Sequence, residues 1–537
     1  MQYHKYILSL VLVAFLSVPT FSQDKDLSWE ELSASYEFPA WYTEARFGIW
    51  VHWGAQTEPM QGGGWYARHM YMEDVKHEKW GRNAYAFHNK TYGHPSEIGY
   101  KDVLNEWKAD KLNTDALVSY FKSVGAKYFV ALANHHDHFD NFNSTYHPWN
   151  SVNLGPKRDI IREFEQSSKK YNMRFGVSSH DDRFLGWWEP AFGADTLGPY
   201  KGVPYDGHMT IEDGKGKWWE GLDPADLYGL PPAKRTPEYI EGVKKNWKLR
   251  HTELVTKYDL DYLWFDGYNF PYGDYGKAVS TTYFNKKRQS NGKINAVLAG
   301  KFSSEPTTVK DIERGGASEI LAYPWQGITT LRTWFYKEDE GGLDYRHSAR
   351  TVIETLADYN SKNGNLVLNV ELLHDGTIPT TQKLILDKVG AWIHLNSEAV
   401  YASKPWKVYG DNLDSYLKVL ENSAIGEADL EALKKQKSEE HFNERTLASP
   451  AYGKDEVRYT TNGDVLYMFV LNPAEGQIEL PTLGLKSKQK PGKITAIEMI
   501  GSNQKIEYKQ DHTKLVLTVP ANRPNTLTTV FRIKGAL

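Results

Sequence analysis

The sequence predicts an α/β protein, a (β/α)8-like barrel followed by a C-terminal β-sandwich. Three observations point there. From about residue 45 to residue 395, short apolar runs alternate with amphipathic helical stretches, the pattern of parallel strands joined by crossover helices. No strand is followed by a G-x-G-x-x-G fingerprint, so the long repetition favours a closed barrel over an open doubly wound sheet. After Trp406 the pattern changes, and from Val457 to Ile533 short alternating strands are separated by turn residues such as TNGD (461–464).

Candidate barrel strands are Phe47–His52, Tyr128–Ala133, Phe175–Ser179, Tyr262–Phe265, Ile294–Leu298 and Leu366–Val370. Helical stripes precede three of them. Leu117, Tyr120, Phe121 and Val124 fall at i, i+3, i+4, i+7 before the second; Ile240, Val243, Trp247, Leu254 and Tyr258 precede the fourth; Val352, Leu356 and Tyr359 precede the last. Two polar Gly/Pro-rich stretches, 189–217 and 220–237, read as loops that carry substrate contacts. In the C-terminal part, VLYMFVL (465–471) and KLVLTVP (514–520) alternate as half-buried strands do. The expected division is residues 1–22 as a signal peptide, 23–400 as the catalytic barrel, and 401–537 as the sandwich with a charged insertion near 425–445.

The N-terminus reads as an export signal: Lys5, an apolar core over Tyr6–Leu16 too short to span a bilayer, and small residues Thr20 and Ser22 at a cleavage site. No later segment reads as a membrane anchor. The chain has no cysteine, so disulfides, thiolate metal sites and lipid attachment at a mature N-terminal cysteine are excluded, and a bacterial periplasmic or secreted enzyme is expected. A net charge of −4 with no basic tract gives no footprint for nucleic acid. The 18 Trp and 34 Tyr suit either stacking on sugar rings or large aromatic cores. The oligomeric state is not set by any of this.

Three segments carry chemistry. In LDYLWFDG (260–267) an apolar strand ends in Asp266, where a barrel enzyme places its reacting groups; an Asp capping the next element is the bland alternative. In RFGIWVHWG (46–54), His52 ends a strand and could bind a hydroxyl or be a satisfied core histidine. ANHHDHFDNF (133–142) packs His135, His136, Asp137, His138 and Asp140 together, which suits a metal, a hydroxyl-binding shelf or a structural cluster; no H-E-x-x-H pattern accompanies it. Downstream, KDIERGGASEILAYPWQ (310–326) supplies Glu313 and Glu319, then Trp325. Glycoside hydrolysis needs two carboxyls, and Glu313 comes from a later barrel loop than Asp266, so the two could converge on one mouth.

Taken in order, RFGIWVHWG, WYARHMY (65–71), the HHD run, WFDG, ERG…YPWQ, NLVLNVELLHDGTI (365–378) and WIHLNSEAVY (392–401) resemble the α-L-fucosidases of glycoside hydrolase family 29, over roughly residues 29–406. The resemblance implies an exo-acting, retaining double displacement on the terminal α-L-fucose of an oligosaccharide or polysaccharide, with no cofactor and no metal. Asp266 matches the nucleophile and Glu313 the general acid/base, with Glu319 and Glu305 as alternatives. His52, His135 and His136 match hydroxyl-binding histidines, Trp65 and Trp325 would shape the sugar pocket, and His180 would add a further contact. Three departures stand out. Asn134 and His138 replace the Lys and Gly of KHHDGF, Lys301 is the nearest match to an expected Arg, and Gly64 stands where an acid is common. They leave the sugar open: an α-L-galactosidase, possibly on a sulfated algal galactan, would use the same mechanism. A non-catalytic glycan-binding protein is the alternative from another class.

Overall fold

A computed structural model describes residues 26–73, 84–302, 307–338, 348–413 and 452–537. The segments expected to be a signal peptide and a charged insertion near 425–445 lie outside the described residues. Eight parallel strands close into a barrel in chain order: β1 Phe47–Val51, β2 Tyr128–Asn134, β3 Arg174–Ser179, β4 Tyr262–Phe265, β5 Val297–Gly300, β6 Thr308–Asp311, β7 Trp325–Thr330 and β8 Gly364–Asn369. Pairing of β1 with β8, Phe47 opposite Leu366 and Trp50 opposite Asn369, completes the closure.

Two strands, β6 (TVKD) and β7 (WQGITT), are not apolar runs and were not among the sequence candidates. They are polar because the barrel interior there is polar. Gln326 accepts hydrogen bonds from the hydroxyls of Tyr42 (2.9 Å) and Tyr262 (3.0 Å), and donates to Asp311 (3.3 Å). The fifth strand also sits later than Ile294–Leu298: Ile294 instead bridges back to Arg288, and the parallel ladder begins at Val297.

The helices follow the apolar stripes. In the helix Pro237–Lys257, capped by the Thr236 side chain on the Tyr239 N–H, Trp247 and Leu254 are buried. Ile240, at its start, is exposed. The segment between β3 and that helix, which contains both polar stretches noted above, is a string of short helical turns. Among the described residues, no helix is long and apolar enough to cross a membrane.

Beyond the barrel, β9 Lys404–Asp411, β10 Val457–Asn462, β11 Val465–Val470, β13 Ala496–Met499 and β16 Thr529–Lys534 form a five-stranded antiparallel sheet. A three-stranded sheet of β12 Gly476–Leu480, β14 Tyr508–Gln510 and β15 Leu515–Val519 packs over it, with Leu466, Met468, Leu515, Leu517 and Phe531 between them. The β10–β11 hairpin turns at Gly463, whose φ of +60° suits a tight two-residue loop. Arg458 ties this unit to the barrel by an ion pair with Asp358 (2.6 Å) on the helix Ala349–Ser361.

Candidate active site

At the C-terminal ends of the strands lies a cavity of about 320 Å³. His52, His135, His136, His180, Asp266, Lys301 and Glu313 face it, with Trp50, Trp65, Trp264, Ile328 and Trp334 as its apolar walls. These polar residues lie at or just past strand ends: His52 after β1, His135 and His136 after β2, His180 after β3, Asp266 after β4, Lys301 after β5, and Glu313 two residues beyond β6. The barrel therefore converges residues remote in sequence onto one mouth.

Asp266 sits at the centre. Its Oδ1 accepts from Lys301 Nζ (2.9 Å) and from the Gly267 N–H (2.9 Å); its Oδ2 accepts from Arg183 (3.0 Å). His136 Nε2 and His180 Nδ1 stand 3.7 and 3.8 Å from Oδ2. Burial alone would raise this carboxyl, but His180, Lys301 and His136 outweigh burial and hold it well below the usual carboxylate range. The bland role, a helix cap, does not apply: the helix that follows starts at Asp274, and its N-cap Gly273 makes no side-chain cap.

Lys301 Nζ also contacts Glu313 Oε2 at 2.6 Å. One ammonium thus spans both carboxyls, and their nearer oxygens are no farther apart than the sum of these two contacts. That upper bound is compatible with the about 5–5.5 Å separation of retaining glycosidases. Burial pulls the Lys301 ammonium down, but the two carboxylates more than offset it and keep the group charged. Glu319 is exposed and does not line the cavity. Glu305 lies outside the described residues.

The histidines are buried and neutral. Burial, the largest cause, lowers all four rings, His136 to about 3. Their orientations are set from behind. The Asn369 amide donates to the carbonyls of Thr333 (3.1 Å) and Trp334 (2.9 Å), so its oxygen must accept, and His52 Nδ1–H donates to it at 2.7 Å. His136 Nδ1–H donates to the His180 carbonyl (2.6 Å), and His135 Nδ1 meets the Gln56 side-chain amide at 3.0 Å.

The departures noted in the sequence have structural explanations. Asn134 and His138 do not line the cavity but lie beneath it. Asn134 donates to Asp140 (2.9 Å), and His138 Nδ1–H donates to Asp181 (2.6 Å) with its ring stacked on Phe184 at 3.7 Å. Arg250, fully buried, pairs with both Asp140 and Asp181, so the loops after β2 and β3 are clamped together. His138 has φ +59°, a conformation that glycine adopts freely; here the side-chain contacts offset a cost of about 1–2 kcal/mol. At Gly64, a Cβ would come within 2.7 Å of the Phe335 ring. Phe335, packed edge-on to His135, fills the space an acidic side chain would need.

Trp325 requires correction. Strand alternation puts it opposite to the inward Gln326, so it packs outside the barrel against Tyr359 and donates to the Lys362 carbonyl (2.8 Å). It does not line the cavity; Trp334, in the loop after β7, does. Sequence reasoning also missed Arg183, Trp50 and Trp264. The last two lie inside quoted strand motifs and are distinguished only by their inward face.

Lys301→Met is expected to raise the acidic limb of the kcat/KM profile. Without the ammonium, Asp266 loses a cation that stabilises its charged form, so it protonates at higher pH. A limb left unmoved by this substitution in a pH series would show that Lys301 does not control the Asp266 charge.

A model of the α-L-fucosidase family matches residues 14–398, and a model of the α-L-fucosidase C-terminal domain matches residues 453–534. The tissue α-L-fucosidase of Bos taurus is 28% identical over 391 residues, covering 71% of this chain and 73% of that protein. The plasma α-L-fucosidase of Homo sapiens is 25% identical over 413 residues, covering 72% and 74%. Among solved structures, Thermotoga maritima α-fucosidase superposes with a TM-score of 0.66 at 22% identity, over 94% of this chain and 99% of its own. The α-L-fucosidase isoenzyme 1 of Paenibacillus thiaminolyticus gives 0.59 at 20% identity, over 92% and 98%. These two likenesses establish the shared fold.

Proposed function

The chain belongs to the α-L-fucosidase family, a glycoside hydrolase family, and on that premise we propose that it removes terminal α-L-fucose from glycans by a retaining double displacement. The observation that carries this reading is the pair of carboxyls, Asp266 and Glu313, held on the Lys301 ammonium at the barrel mouth. In the first step Asp266 Oδ2 attacks the anomeric carbon while Glu313 gives its proton to the departing glycosidic oxygen. In the second, Glu313 takes a proton from water, whose oxygen displaces Asp266 and restores both groups. Lys301 and the Gly267 N–H hold Oδ1 with two hydrogen bonds, while Oδ2 carries one, from the half-exposed Arg183, whose turn to solvent would free Oδ2 for attack. His52, His135, His136 and His180 are the hydroxyl partners; neutral imidazoles both donate and accept, as a ring of hydroxyls requires.

An exo mode of attack is supported by the cavity floor, which Trp50 and Trp264 close from below. The choice of sugar is supported by Ile328 and Trp334 on the cavity wall, an apolar surface suited to the C6 methyl of fucose. A hydroxyl added there would lose its water with little in return. In parallel assays, an aryl α-L-fucoside is therefore expected to exceed the α-L-galactoside in kcat/KM by about a hundredfold. Equal or reversed rates would transfer the assignment to an α-L-galactosidase.

A further inference from the structure

His135, His136 and His180, which line the sugar cavity, also form a cluster with the make-up of a metal site. One ring nitrogen of each lies within 4.8 Å of one from each of the others. All three rings are buried. His136 is held through its other nitrogen by the His180 carbonyl, which is how metal-binding imidazoles are oriented. His180 Nε2 is a buried ring nitrogen with no hydrogen-bond partner in this structure. The Gln56 side chain that meets His135 has its own oxygen unpartnered, so turning the amide over places that oxygen on Nδ1–H and frees the Nε2 lone pair. The Asp266 carboxylate stands 3.7 Å from the His136 ring and 3.8 Å from the His180 ring, and adds a negative charge.

We propose that these three histidines form a transition-metal site, taking Zn²⁺ or a similar imidazole-seeking cation, and that the bound ion competes with the sugar and inhibits hydrolysis. The proposal rests on the reading of these histidines as sugar-hydroxyl partners. Three imidazoles and a nearby carboxylate match the preference of Zn²⁺ and Cu²⁺, while Mg²⁺ and Ca²⁺ prefer all-oxygen shells. The rings must close in by on the order of an ångström to reach zinc–nitrogen bond lengths.

The test titrates the full chain with ZnCl₂ in two ways. Calorimetry without sugar is expected to show binding that saturating L-fucose suppresses and that His136→Gln and His180→Asn each weaken at least about tenfold, with circular dichroism showing that both variants fold. Kinetics on an aryl α-L-fucoside are expected to show a rise in apparent KM of about tenfold or more with kcat unchanged, reversed by EDTA and not produced by MgCl₂. A chain that hydrolyses the fucoside but shows no zinc heat would overturn the metal site and leave the enzyme reading standing. Zinc binding indifferent to L-fucose and to both substitutions would equally overturn it, because the ion would then sit elsewhere. Fucose-suppressed zinc binding in a chain that does not hydrolyse the fucoside would instead overturn the proposed reaction and keep the metal site.

Discussion

Asp266→Ala is expected to lower kcat on an aryl α-L-fucoside by at least about ten-thousandfold, because loss of a covalent nucleophile removes a whole chemical route and not one contact among several. The fold should survive. The backbone N–H of residue 266 donates to the Ser179 carbonyl at 3.1 Å whatever the side chain, so β4 stays tied to β3. Lys301 keeps Glu313 as a partner, and the Arg183 side chain, 54% exposed, can turn to water. Circular dichroism and thermal unfolding separate the two effects: a folded variant without turnover is the expected result. A folded variant retaining more than about one-hundredth of native turnover would remove Asp266 from the nucleophile's role.

The sequence revealed the parts of this architecture that obey a single rule. Strands β1 to β4 and β8 are largely buried on both faces and so appear as apolar runs, and the residues just past the ends of β1 to β4 are the site histidines and Asp266. Strands β6 and β7 escaped notice because a barrel can fill its centre with hydrogen-bonded polar groups. Gln326 links Tyr42, Tyr262 and Asp311 there by hydrogen bonds, and no local pattern announces a partner so distant in the chain. The misplacement of Trp325 has the same origin: a strand alternates faces, and which face is inward is decided by what Gln326 meets across the barrel. The clash between a side chain at 64 and the Phe335 ring, and the clamp of Arg250 on Asp140 and Asp181, are likewise tertiary facts. Asn134 and His138 look in the sequence like changes to the pocket and prove to be changes to its support.

Glu313→Ala is the sharper test of the pairing, because its outcome is a product and not only a rate. With a poor leaving group, the loss is expected to be about a hundredfold to ten-thousandfold, the usual worth of a positioned acid/base. With a dinitrophenyl fucoside the first step needs little proton assistance, so the glycosyl-enzyme should form and then wait for a nucleophile that requires no deprotonation. Azide is such a nucleophile. It attacks the anomeric carbon from the side where Glu313 stood, displaces the Asp266 carboxylate, and yields α-L-fucosyl azide with restored turnover. The Asp266→Ala variant has no covalent intermediate, so azide there must enter from the opposite face and give the β-anomer. The configuration of the azide, read by NMR, therefore assigns the two carboxyls independently. No rescue, or a β-azide from Glu313→Ala, would move the acid/base role away from Glu313. The exposed Glu319, which does not line the cavity, is poorly placed to inherit it.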